Sequence, residues 1–249
     1  PEYRAPVRYQ LPERQPLPSI IHEKDGKEMR FVAADYAVYG QDHDPHLSNY
    51  QPHFASRSTE KLIRVDAFYM DRYEVTGQEF LAFCLATGRA LPPAWKKAAR
   101  MPADQAELPF LMTFREAEDY AAWSGKMIPD EVQWEMAARG GMSLQGEGMP
   151  RIYPYGNDFQ SALCNTSESG HGQLIPVQSL RDTSPYGIQG MCGNAPEWTS
   201  SWYGPYPGNQ FTENLLVGRQ VKVIRGGAFY QNRNSARVDA RAYGGIPDL

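Results

Sequence analysis

Apolar positions recur every second residue near the front of the chain and at helical spacing further on. The first core-like run in a polar, Pro-rich stretch is MRFVAADYAVYG (29–40). Alternation at Phe31, Ala33, Tyr36 and Val38 predicts a strand that Gly40 ends. A second strand is predicted from Arg64, where Val65, Ala67 and Tyr69 alternate with Asp66, Phe68 and Met70. The spacing then predicts a helix capped by Thr76, with Glu79 three residues on, Phe80, Phe83 and Cys84 on one face and Gly88 at its end. Pro92-Pro93 opens a loop that runs to Pro109. A second capped helix starts at Thr113 with Glu116, buries Ala117, Tyr120 and Ala121, and stops at Gly125. A third is capped by Asp130 with Gln133 and ends at Gly140-Gly141. A short strand, Val221–Ile224, precedes Gly226-Gly227. Residues 1–249 read as a single domain, with 1–28 as a polar N-terminal extension. The pattern is that of an α+β fold, loop-rich, with short antiparallel strands and about three helices.

Composition supports this and removes some functions. An apolar fraction of 41%, with 15 Tyr, 10 Phe and 5 Trp, supplies a sizeable core, and 22 Gly with 20 Pro imply many turns. A net charge of −4 carries no basic footprint, which argues against nucleic acid or an anionic membrane as partner. No apolar run reaches transmembrane length, so no membrane insertion is expected. Three cysteines are too few for a disulfide scaffold. Cys84 sits in an apolar run as a small hydrophobe, Cys164 and Cys192 could pair, and packing alone would also account for Cys192. His43 and His46 invite a metal reading, but Pro45 breaks any helix that would align them, so a solvated loop is expected.

Two late segments concentrate the chemistry. MCGNAPEWTSSWY (191–203) places a Gly-Asn turn before Glu197, Trp198 and Trp202. VIRGGAFYQNRNSARVDARA (223–242) follows a glycine pair with a polar run holding Arg225, Arg233, Arg237 and Arg241. Such loops are expensive to order unless they build a site or a dense polar network. Taken one at a time, the same residues also fit core tryptophans and ion-paired staples.

These segments resemble the formylglycine-generating-enzyme (sulfatase-modifying factor) domain family, which shows a GN-x-x-EW-T-S-x-W-Y run and then an RGG-S-[WF] run. Gly193, Asn194, Glu197, Trp198, Thr199, Ser200, Trp202 and Tyr203 match the first, and Arg225, Gly226, Gly227 and Phe229 the second. Earlier motifs match in the family's order: Phe68, Met70, Asp71, Glu74, Val75 and Thr76, then Pro129, Glu131, Trp134, Glu135, Ala137, Ala138, Arg139 and Gly140, then the YPYGNDF loop at 153–159. The resemblance implies a C-type-lectin-like sulfatase-modifying-factor fold.

It also implies calcium sites, both degraded here. Asn165 and the Thr166 carbonyl match the start of one, but Ser169 or His171 falls where an Asp is expected. In the other, Gly190 replaces the first ligand while Gly193, Ala195 and Glu197 remain. Glu197 is thus open to either a metal or an arginine such as Arg225. Calcium is possible; copper is not expected. The family's oxidase chemistry needs a cysteine pair that binds copper(I), a soft metal, and Gln231 and Ala236 stand at those places; the active-site Ser is Ala228 and a Trp is Pro196. The histidine set of iron-dependent relatives that make sulfur–carbon bonds has no counterpart here. No formylglycine-generating activity is expected.

Within the family the chain most resembles the cysteine-less members that mature pyoverdine-type peptide siderophores. That implies a periplasmic protein, alongside other maturation enzymes, that oxidises the cyclised tyrosine-derived unit of a dihydropyoverdine-type precursor. Glu197 or Asp239 would deprotonate the phenol and Arg233 or Arg237 would stabilise the phenolate, with Trp198, Trp202, Tyr230, Gln231 and Asn232 binding the substrate. A non-catalytic peptide-binding or scaffolding module on the same fold is the alternative.

Overall fold

A computed structural model describes residues 17–41, 58–97, 100–145, 150–204 and 220–244. His43, His46 and His53 lie outside these. Five strands come first: β1 (Ser19–Ile21), β2 (Glu28–Val32), β3 (Asp35–Gln41), β4 (Ser58–Val65) and β5 (Phe68–Asp71). The helices follow as α1 (Gly77–Thr87), α2 (Pro93–Lys97), α3 (Phe114–Ser124) and α4 (Glu131–Arg139), and β6 (Glu197–Trp202), β7 (Lys222–Arg225) and β8 (Ala242–Tyr243) close the order. The strands form three small antiparallel sheets, β1-β2-β5, β3-β4 and β6-β7-β8. This is an α+β architecture with long irregular connections.

All three predicted helix starts carry a complete capping box, at Thr76/Glu79, Thr113/Glu116 and Asp130/Gln133. Gly88 and Gly125 end α1 and α3 in the left-handed conformation that a side chain disfavours. Four expectations need correction. The strand over 29–40 is two strands in different sheets, and its burial does not follow the predicted alternation: Val32, Ala37 and Val38 are buried, whereas Phe31 is partly so, Ala33 is exposed and Tyr36 is half exposed under the Arg64 guanidinium. The strand predicted from Arg64 is likewise two, β4 ending at Val65 and β5 beginning at Phe68 in another sheet. The loop after Pro92 contains α2, whose Trp95 is buried against Phe80 and Phe110. Ala117 and Ala121 are only half-buried, because that face of α3 looks into a cleft rather than the core. The polar leading stretch joins the sheet from Ser19 onward, and its Lys27 is buried on Glu79.

The core gathers on α4. Trp134, Met136, Ala137 and Ala138 pack with Val32, Val65, Ile188, Met191 and Val238. A second cluster, Phe80, Phe83, Cys84, Trp95 and Tyr120, ties α1, α2 and α3 together. The charged residues of α4 are buried too. Arg225 Nη2 lies 2.9 Å from Glu135 Oε2 and 3.2 Å from Glu131 Oε2, and Arg241 grips Glu131 through Nε at 2.8 Å and Nη2 at 2.9 Å. Gly40 N–H donates to Glu135 Oε1, and Arg139 sits 3.1 Å from the same oxygen. Two of the four late arginines are therefore staples that fasten the C-terminal segment to α4.

Cys164 and Cys192 form a disulfide, with Cα atoms 5.3 Å apart, and Ala236 packs on it beside Tyr153. It joins segments 28 residues apart in sequence. Cys164→Ala/Cys192→Ala is expected to lose about 2–5 kcal/mol of stability. Thermal melts with and without reductant measure this, and an unchanged melting temperature in the double variant would contradict it.

Candidate functional site

Asn194 is the node of the site. It is wholly buried and holds φ 63°, the left-handed region that Asn tolerates better than most residues. Its N–H donates to Asn165 O at 2.7 Å, its Oδ1 accepts from Asn165 Nδ2 and Ile175 N–H, and its carbonyl accepts from Phe229 N–H. Its Nδ2 donates to Glu74 Oε2 at 2.9 Å, and the next N–H, of Ala195, donates to Glu74 Oε1 at 3.1 Å. Gly193 must be glycine: φ is 91° and a Cβ would collide with the Asn165 carbonyl. The turn thus fixes Glu74 from the start of the chain against Glu197 from β6.

Both carboxyls open onto a cleft of about 640 Å³ between β5, α3, the loop before α4 and the 195–198 segment. Its walls include Tyr73, Phe110, Met112 and Trp198, and the exposed Leu111 and Met127 lie on its lining. Glu197 Oε2 accepts from the Trp134 indole at 3.1 Å. Among the described residues no Lys or Arg forms an ion pair with Glu74 or Glu197. Burial pushes the Glu197 carboxyl up to about 8, with the nearby Asp182 adding to the rise. Burial likewise holds Glu74 well above the usual carboxylate range, and the neighbouring Glu197 reinforces it. Asp182, enclosed beneath Gly190, is raised by burial to about 6 against the N–H groups it accepts.

The sequence-predicted site residues do not all meet. Glu197 and Trp198 line the cleft; Trp202, Tyr230, Gln231, Asn232, Arg233, Arg237 and Asp239 do not. Trp198 is held by an indole bond to Met112 O and an edge contact with Phe114. Trp202 is half exposed, with Lys222 Nζ 3.6 Å above its ring. Tyr230 is exposed against Phe229, and Gln231 is fixed through its backbone to Ala228 and Ser167. Asn232 caps Asn234 N–H, and Arg233 presents its N–H to Glu168 and its guanidinium over Phe159. Arg237 is buried with Nε 3.1 Å from Asp239 Oδ1. Arg225 lies on Glu131 and Glu135, and Glu197 on Trp134. Sequence reading placed Glu74 in a family motif and gave it no part in the site. Its only signal was a carboxylate just before a helix cap, which does not reveal what the side chain faces.

Members of the matching family can bind calcium. At the first place implied by resemblance, the Asn165 amide is consumed by Asn194 and Gln173, and its Oδ1 accepts from Ser169. At the second, Gly190 brings no side-chain donor, while the carboxyls of Glu197 and the neighbouring Glu74 both face the turn. A hard cation prefers several oxygens with carboxylates among them, and the first place, without one, does not fit calcium. Among the described residues no group of three or more His, Cys, Asp or Glu gathers as metal ligands.

The family model of the sulfatase-modifying factor enzyme 1-like domain matches residues 21–245, and the chain belongs to that family. It is 30% identical over 195 residues to the mouse "Inactive C-alpha-formylglycine-generating enzyme 2", covering 70% of this chain but 58% of that protein's length. It is 28% identical over 243 residues to the formylglycine-generating enzyme of Thermomonospora curvata, covering 73% and 78%. Among solved structures it superposes on PvdO from Pseudomonas aeruginosa with a TM-score of 0.67 at 20% identity, covering 94% of each chain. It superposes on Treponema denticola variable protein 1 with a TM-score of 0.66 at 14% identity, covering 92% and 93%. No helix among the described residues is long and apolar enough to cross a membrane.

Proposed function

We propose that the chain is a periplasmic tailoring enzyme for a peptide siderophore, oxidising the cyclised tyrosine-derived unit of a dihydropyoverdine-type precursor. The observation that carries this reading is the cleft: a slot walled by aromatic and methionine side chains that ends on two carboxyls without an ion-pair partner among the described residues. Thiol–copper chemistry has no purchase here. Gln231 and Ala236 stand where relatives carry their cysteines, the one free thiol, Cys84, is buried in α1, and the other two sulfurs are bonded to each other. The fold it shares with PvdO and the oxidised Cys164–Cys192 pair both suit a secreted oxidative step.

In this reading Glu197 takes the phenolic proton of the bound unit. A carboxylate with a pKa near 8 is a stronger base than an ordinary one and better matched to a phenol. The electron-rich ring gives up two electrons and a second proton to dioxygen, and Glu197 passes on the proton it took, so that substrate and dioxygen become oxidised chromophore and hydrogen peroxide. Arg233, Arg237 and Asp239 lie outside the slot and are left to contact the peptide portion.

Purified protein incubated with the reduced precursor in air is expected to yield a product lighter by two hydrogens, by mass spectrometry, together with peroxide. Saturable binding without turnover would replace this reading with the non-catalytic module, which the similarity to a relative named inactive favours.

A further inference from the structure

We infer that His22, oriented by Asp25, is a second proton acceptor of the cleft, distinct from Glu197. The inference rests on the proposed reaction for the proton that His22 takes; the geometry of the pair does not. His22 follows β1 and opens the turn to β2. Its N–H donates to Lys27 O at 2.8 Å, and its carbonyl accepts from Gly26 N–H at 2.9 Å, so the backbone beneath the ring is fixed. The residue lies on the lining of the cleft with Tyr120 and Lys126, and its side chain is 23% exposed. Its Nδ1 stands 2.9 Å from Asp25 Oδ1, on a side chain that is only 2% exposed.

What holds Asp25 decides the tautomer of His22. Lys126 Nζ donates to Asp25 Oδ2 at 2.7 Å, and Lys27 N–H donates to Oδ1 at 3.3 Å. The Tyr120 hydroxyl lies 3.4 Å from Oδ2. Burial would raise this carboxyl, but the Lys126 ammonium and the other donors outweigh it and hold the group below its ordinary value. An ionised carboxylate only accepts, so a neutral imidazole beside it carries its proton on Nδ1. Nε2 then keeps its lone pair, the arrangement by which a carboxylate turns a histidine into a base. Lys126 already meets the charge of Asp25, so the bond orients the ring more than it steadies the acid. Around the pair, Asp71 shares Lys126 at 2.6 Å and Glu79 takes Lys27 Nζ at 2.8 Å.

The proposed oxidation withdraws two protons with its two electrons. Glu197 takes the phenolic proton, and His22 Nε2 takes the second. The bonding pair that this second hydrogen leaves behind closes the new double bond of the chromophore. Two electrons pass from the ring to dioxygen, and the imidazolium and the Glu197 carboxyl each return a proton as peroxide forms. Both residues end as they began.

Oxidation of the reduced precursor by His22→Asn is the test. The asparagine amide can still donate to Asp25, so the turn keeps its bond and loses its base. Its kcat is expected to fall about a hundredfold or more, with KM and melting temperature close to the parent's. In His22→Ala, imidazole added to the solution should restore part of the rate, a rescue that a merely structural histidine would not show. His171→Asn, at an exposed position off the cleft lining, should match the parent. Nitrogen-15 spectra of the resting parent should show the neutral His22 ring with Nδ1 protonated and Nε2 bare. The Nε2–H tautomer, or no recovery of His22→Ala with imidazole, would overturn the inference. Turnover in the parent that His22→Asn retains in full sinks this assignment and spares the proposed reaction, whereas a parent without turnover sinks both.

Discussion

Replacing Arg225 by methionine is expected to lower the stability of the domain by about 3–5 kcal/mol. Methionine keeps much of the volume and removes the charge. It leaves Glu135, wholly buried, and Glu131 without the guanidinium that faces both at 2.9 and 3.2 Å. Burial already raises the Glu135 carboxyl, and Arg225 and Arg139 are the opposing influences. Taking Arg225 away therefore drives Glu135 toward its neutral form and leaves its Oε2 without that donor. Denaturant midpoints at neutral pH measure the loss. Adding Glu135→Gln to Arg225→Met should cost less than the two single changes summed, because the second substitution removes the stranded charge. A loss below about 1 kcal/mol for Arg225→Met, or strict additivity, would show that the network contributes little beyond packing.

The same network marks where sequence reading stops. Thr76, Thr113 and Asp130 announce their helices because a capping box is written in four consecutive residues, and the structure keeps all three. Glu131 and Glu135 resemble solvated helix charges until residues some ninety positions away are folded over them. Short-range pattern also misassigned the strand at 29–40, since alternation does not show the break between β2 and β3, and Val32, Ala37 and Val38 are buried on its two sides without a common phase. The motif at 191–203 holds Glu197 and Trp198, which lie on the lining of the cleft. It could not separate them from Tyr230 to Arg233, because loop order says nothing about which face a loop turns to. Glu74 was missed for the same reason: its partners, Asn194 and Ala195, are about 120 residues distant.

Glu197→Gln is expected to slow the proposed oxidation by about 10²–10⁴-fold, the range for removing a general base. The parent's rate should rise with pH through about 8, where the carboxyl gives up its proton. At pH 7 only roughly a tenth of the molecules carry the base in its active form. Stability runs the other way. The folded carboxyl keeps its proton to about 8, whereas an unfolded one loses it near 4.5, so folding takes up a proton between those values. This contribution is fully present below the unfolded value and is lost as pH rises across the window, by at most about 1.4 kcal/mol per pH unit. Glutamine mimics the protonated side chain and does not titrate. Glu197→Gln should therefore gain on the parent in thermal melts between pH 5 and 8 while losing the rate. A residue with a merely structural role would not move rate and pH-dependent stability in opposite directions. If the variant keeps the parent's rate at pH 8, or if the parent's rate is flat from pH 6 to 9, Glu197 is not the base and the slot serves binding alone.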